Sequence, residues 1–158
     1  MKDMYTFMIT GERGFPNIKI PMSFLLQSPF LVFNLLRRYK QLEGNKKLHM
    51  LENIKTDCSI DLHNERMRYL FARKIAGLTI LWINLFRQGE ALCLERAIII
   101  CMVLRSFGLS AKVIIGKKLS FSMIERFPFH AWVELDGKPV DEHIGVLDQY
   151  KRLDEIPS

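Results

Sequence analysis

Residues 93–116, CLERAIIICMVLRSFGLSAKVIIG, followed after an interval by residues 129–135, FHAWVEL, decide the fold. In the first half of this stretch Leu94, Ala97, Ile98, Cys101 and Leu104 recur at helical spacing. They predict a helix from about Cys93 to Phe107 with these residues as its inward stripe and Gly108 at the usual C′ position. Beyond Gly108 the period changes from helical to extended. Ala111–Ile115 reads as a strand, Gly116 to Arg126 as a loop, and Phe129–Leu135 alternates as a second strand. Asp136-Gly137 is a hairpin-turn pair, and Lys138 to about Ile144 would return as the partner strand. The tail VLDQYKRLDEIPS is expected to form one short turn of helix.

Upstream of Cys93 the pattern is helical. Asn64 is suited to cap a long helix from Glu65 to about Arg87, stopped at Gly89. Its apolar positions Met67, Leu70, Phe71, Ile75, Leu78, Trp82 and Leu85 fall on one side. Ser28-Pro29 reads as a helix opening, Ser as N-cap and Pro at the first helical position, with Gly44 as its stop. A weaker helix is expected over Lys47–Lys55. Residues 1–23 look irregular, with short extended pieces at Tyr5–Ile9 and Asn17–Ile20. Helices followed by an antiparallel meander indicate an α+β fold. The expected organisation is an irregular segment over 1–23 and one domain over 24–158, helical in 24–108 and sheet-forming in 109–150.

Composition narrows the function classes. With 158 residues, 49% of them hydrophobic and 25% charged, the chain can bury a real core and is read as soluble and globular. The most lipid-like run, Ile75–Phe86, has twelve residues flanked by charges, too short for a bilayer and better suited to a buried helix. The first residues contain no apolar run of signal-peptide length. Cys58, Cys93 and Cys101 form no CxxC and no paired metal spacing, and His49, His63 and His143 make no metal pattern either. Thiols without a secretion signal fit a reducing, cytoplasmic setting. The net charge of +6 reads as solvated helix faces, or as attraction to an acidic partner. Nucleic-acid binding is not indicated, because no helix-turn-helix, zinc or RNP pattern accompanies the charge.

The chemistry centres on Cys93. At a helix start, unpaired amides and the positive end of the helix dipole favour thiolate over thiol. The same amides can supply an oxyanion hole. Taken alone, such a cysteine is better explained as a small buried residue. His130 adds to it: it opens the FHAWVEL strand, thirty-seven residues after Cys93, where a base packed across the helix start would lie. A carboxylate should orient the imidazole, and Asp141 and Glu142 are both available on the returning strand. A two-residue Asp136-Gly137 turn would put Asp141 on the histidine's face, whereas a three-residue loop with a bulge would oppose His130 to Glu142. One residue of register exchanges the two, and both stay open. Trp132 and Glu134 share His130's face on a regular strand, with Trp132 read as core or pocket wall. Glu95 and Arg96 are read as surface charges, Cys101 as core, and Phe121–Phe129 as an apolar lip over the cleft.

As an ordered set these motifs resemble the transglutaminase-like leader peptidases of lasso-peptide biosynthesis. That family's pattern is Cys-Leu-x-Arg-Ala on a helix, Gly-[Ile/Leu]-x-Ala, a strand ending in Ile-Gly, then His-Ala-Trp-Val-Glu, Asp-Gly and an acidic position. The strong match covers residues 90–150, and a weaker helical match reaches back to about residue 24. The resemblance implies a transglutaminase-like, papain-like core: N-terminal helices plus the Cys-bearing helix packed on a small antiparallel sheet. It implies a Cys-His-Asp/Glu protease that removes the leader from a ribosomally made lasso-peptide precursor, with no cofactor and no metal. The family's spacing puts the acidic member twelve residues after the histidine, on Glu142. Aspartate is the familiar residue there, so Asp141 stays a competitor. The short N-terminus resembles the split form of the family, which implies a separate winged-helix leader-binding protein and an asparagine-synthetase-like lasso cyclase as partners.

Overall fold

A computed structural model describes residues 18–44, 46–51, 54, 64–88, 91–119 and 128–157 of the chain. In chain order the elements are α1 (Met22–Gln41), α2 (Lys46–His49), α3 (Glu65–Arg87), α4 (Cys93–Ser106), β1 (Lys112–Lys118), β2 (Phe129–Leu135), β3 (Lys138–Pro139), α5 (Val146–Gln149) and β4 (Tyr150–Ile156). The four strands form one antiparallel sheet in the order β3-β2-β1-β4. Helix α4 lies between the sheet and the other long helices, touching β2, α3 and α1. This is the α+β arrangement expected, helices and a Cys-bearing helix on a small antiparallel sheet.

Helix α4 is more deeply placed than a one-sided stripe implies. Ala97, Ile98, Ile99, Ile100, Cys101, Val103 and Leu104 are all fully enclosed. A helix apolar on every side is a core helix, because burying each additional aliphatic side chain stabilises by about 1.5–3 kcal/mol. Helix α3 begins where predicted: the Asn64 Oδ1 accepts from the amides of Arg66 at 2.9 Å and Met67 at 3.4 Å. Its stop at Gly89 lies outside the described residues; Gln88, in the left-handed region at φ 51°, closes the helix. With 23 residues α3 is the one helix among those described that is long and apolar enough to cross a membrane. The twelve-residue run is thus only part of a longer helix. Leu70, Phe71, Ile75, Ala76 and Ile83 nevertheless pack into the core.

Helix α1 departs from expectation at its start. It opens at Met22 behind Pro21, so Ser28-Pro29 lies inside it. Pro29 has no amide to donate to the Leu25 carbonyl. The Ser28 hydroxyl donates to that carbonyl instead, at 3.1 Å, and accepts from Trp82 Nε1 of α3 at 3.0 Å. The side-chain bond lets the helix run through proline. Helix α2 is also shorter than predicted, four residues, and Ile18–Ile20 has no regular structure. The extended piece at Tyr5–Ile9, Cys58, His63 and most of the lip before Phe129 lie outside the described residues.

The sheet corrects three expectations. Strand β1 continues through Gly116 to Lys118, where a loop was predicted, and carries a register irregularity between Ile115 and Gly116. The tail forms not only a helical turn but also β4, paired with β1 and extending the sheet-forming part to Ile156. Strand β3 is only two residues long instead of reaching Ile144. Its turn is the two-residue one: Asp136 and Gly137 both have positive φ (51° and 77°), and Leu135 pairs with Lys138. After Pro139 the Val140 amide still bonds the Val133 carbonyl at 2.9 Å. Then the Asp141 carboxylate, rather than a backbone carbonyl, takes the Val133 amide at 2.8 Å. That substitution ends the ladder and releases the chain from the edge of β2.

Candidate active site

The site forms where β2's edge is left uncovered by the early end of β3. Cys93 opens α4 behind Leu92, whose side chain supplies no cap to the first amides of the helix. The half-buried Cys93 sulfur hydrogen-bonds the His130 ring and receives the amides of Ala131 and Leu94. The bond to His130 holds the thiol below its ordinary value; burial opposes this, and the two amides reinforce it. His130 is correspondingly raised to about 9, first by its bond to Cys93 and then by its bond to Glu142, against the effect of burial. Each group favours the other's charged form.

His130 Nε2 lies 3.2 Å from Glu142 Oε1, which leaves Nδ1 for the sulfur. Glu142 is held in ionised form chiefly by that contact, with burial opposing and Arg96 assisting. Asp141 does something else. Its Oδ1 takes the Val133 amide, and burial pushes its carboxyl up to about 6. The two-residue turn should have put Asp141 on the histidine's face, and on an ideal ladder it would. The ladder stops at Pro139, so the extrapolation fails and Glu142 reaches the ring.

Helix α3 fastens the departing segment. Tyr69 donates its hydroxyl to the Pro139 carbonyl at 2.9 Å, and Arg73 Nη1 donates to the Glu142 carbonyl at 3.3 Å and to Tyr69 Oη at 3.1 Å. At the turn, Arg68 bonds Asp136 and Lys138 bonds Glu65. The far face of the sheet supports the imidazole. Trp132, fully buried, stacks near-parallel to His130 with centroids 6.2 Å apart, and Tyr150 of β4 packs on the ring at 5.2 Å. Trp132 Nε1 donates to Glu134 Oε1 at 2.7 Å, and Arg152 of β4 pairs with the other Glu134 oxygen. The Trp132 ring covers Gly116, where a Cβ would sit 2.6 Å from two ring carbons. Gly116 pairs with His130 across the sheet.

Two charges read as surface groups are not. Glu95 is 1% exposed and accepts from Arg87 at 2.7 Å. Arg96 pairs with Glu142 through the oxygen that also faces His130. Its spacing was the available signal: three residues after Cys93, it occupies the same side of the helix. Tyr150 and Arg152 offered none, since the strand that carries them was not visible. Cys101 is core, donating to the Ala111 carbonyl at 3.3 Å with its thiol pushed up to about 12 by burial. Exposed His143 accepts from the Gly145 amide at 3.2 Å. Among the described residues no group of His, Cys, Asp and Glu could hold a metal ion.

Comparison with curated proteins and with solved structures gave no match. A family model described as transglutaminase-like superfamily matches residues 65–155, from the start of α3 through most of β4. That span contains Cys93, His130 and Glu142 together with the helix and sheet that hold them, and it covers more than half of the chain: the protein belongs to the transglutaminase-like superfamily.

Proposed function

We propose that this protein is a cytoplasmic cysteine peptidase that removes the leader from a ribosomally made lasso-peptide precursor. The observation that carries the peptidase reading is the contact chain from the Cys93 sulfur through His130 to Glu142. The lasso-peptide substrate is supported by the ordered motifs from Cys93 to Tyr150. His130 takes the thiol proton, and the thiolate attacks the carbonyl at the leader–core junction. The amide of Cys93 steadies the oxyanion. The C–N bond breaks, the core's amine leaves with the proton from His130, and the leader remains as a thioester on Cys93. Water, deprotonated by His130, then releases the leader as a carboxylate and restores the thiol. A separate winged-helix protein would present the leader, and an asparagine-synthetase-like cyclase would use the freed amine.

The test is incubation of a precursor peptide with this protein and its leader-binding partner, followed by mass spectrometry. Cleavage is expected with the unaltered chain and none with Cys93→Ala, whose thermal unfolding should stay within a few degrees. Cleavage by Cys93→Ala at the unaltered rate would end the proposal. Because the superfamily also supports transfer to amines, product mass decides the acceptor: hydrolysis adds only water, whereas acyl transfer leaves the leader joined to an amine. A non-catalytic scaffold would show ordinary iodoacetamide reactivity at Cys93.

A further inference from the structure

We infer that Arg96 is a positioning residue of this site, whose guanidinium holds the Glu142 carboxylate turned in against the His130 ring. The inference rests on the reading of Cys93, His130 and Glu142 as the reacting group. Glu142 sits in an irregular segment beyond the end of β3, not on the sheet. A glutamate there has three rotatable side-chain bonds and no ladder to direct it. Its backbone is tied by Arg73, but that bond leaves the carboxylate free to turn. Two contacts fix the carboxylate, and both fall on Oε1: the His130 ring and the Arg96 guanidinium.

Arg96 is well suited to this. It stands on α4, the rigid core helix, one turn from Cys93, so the nucleophile and the group that orients the base's partner share one scaffold. A guanidinium offers a planar fork of fixed direction, which a lysine ammonium does not. The Arg96 Nε is buried, with no hydrogen-bond partner among the described residues.

The sign of one measurement separates positioning from a plain charge effect. A cation near an imidazolium disfavours it, so removing Arg96 as a mere charge would raise the His130 titration midpoint. If Arg96 acts through Glu142, its removal lets the carboxylate swing away and the midpoint falls. The experiment uses the full chain: NMR titration of His130 and pH-dependent iodoacetamide alkylation of Cys93, followed by peptide mapping. Arg96→Met is expected to lower the His130 midpoint by about one pH unit and to raise the midpoint of Cys93 alkylation. Arg96→Lys, a safer substitution for folding, is expected to lie between Arg96→Met and the unaltered chain. Combining Arg96→Met with Glu142→Gln should add nothing to Glu142→Gln alone, because both break one chain of contacts. A midpoint unchanged or raised in folded Arg96→Met and Arg96→Lys, or additive losses in the double variant, would overturn the inference. Neither readout needs a substrate. Failure of the unaltered chain to cleave the precursor would therefore strike the peptidase reading and leave the Arg96 result to stand separately.

Discussion

Replacing Glu142 by Gln removes one charge and little else, since the amide keeps the volume and can still present an oxygen to His130. A unit charge pair 3.2 Å apart is worth about 5 kcal/mol at an effective dielectric near 20 and about 1.3 kcal/mol in water. His130 and Glu142 are 22% and 29% exposed, so solvent screens the pair and the low end of that range applies, roughly 1.4–2.7 kcal/mol. That corresponds to a fall of roughly one to two pH units in the His130 midpoint from its value of about 9. If the imidazolium is stabilised to the same extent in the transition state, cleavage slows roughly 10- to 100-fold. The matched control is Asp141→Asn, which keeps an oxygen for the Val133 amide. It should leave the His130 midpoint in place and cost less than about threefold in rate, within roughly 0.6 kcal/mol. The assay is NMR titration of His130 in both variants beside precursor cleavage. A midpoint that moves in Asp141→Asn and stays in Glu142→Gln would refute the reasoning and give the orienting role to Asp141.

Other outcomes follow from the same contacts. Cys93 is held low and His130 high, so the thiolate–imidazolium pair persists from below the ordinary thiol range up to about pH 9. Its stabilisation is lost as pH falls through the lowered thiol value and again as pH rises through about 9. Alkylation of Cys93 should therefore be fast at neutral pH, and in His130→Ala its midpoint should return toward the ordinary thiol value. Gly116→Ala would drive a methyl group into the Trp132 ring. It should cost about 1–3 kcal/mol, lower the melting temperature by several degrees, and reduce Cys93 alkylation because Trp132 backs His130. An unchanged melting curve would show that the ring has room to shift. Ser28→Ala leaves the Leu25 carbonyl and Trp82 Nε1 without the hydroxyl. A loss of about 1–3 kcal/mol in chemical denaturation is expected.

Much of the fold was legible because its periods are strong. Helix α3 with its Asn64 cap, helix α4 from Cys93, strand β2 and the Asp136-Gly137 turn lie where the pattern puts them. Strand β4 was missed because YKRLDEI is an edge strand with mostly exposed side chains, so no apolar alternation marks it. Its partner β1 was cut short for a related reason. Gly116 and the lysines after it look like a loop until β4 is there to pair with them. The opening of α1 was misplaced because Ser-Pro is an ordinary start signal, and only Trp82, arriving from another helix, reveals Ser28 as a bridge.

By itself the sequence determined the setting of Cys93 and the strand of His130. A thiol at the first position of an apolar helix and a histidine at the head of an alternating strand are local features, written in spacing and period. The choice between Asp141 and Glu142 was not local. It depended on where β3 stops, and β3 stops because the Asp141 carboxylate takes the Val133 amide while α3 draws Pro139 and Glu142 away through Tyr69 and Arg73. Arg96 belongs with that choice, since its role exists only once Glu142 has left the ladder. Contacts between separate elements decided which carboxylate meets the His130 ring, and no period in the chain could carry them.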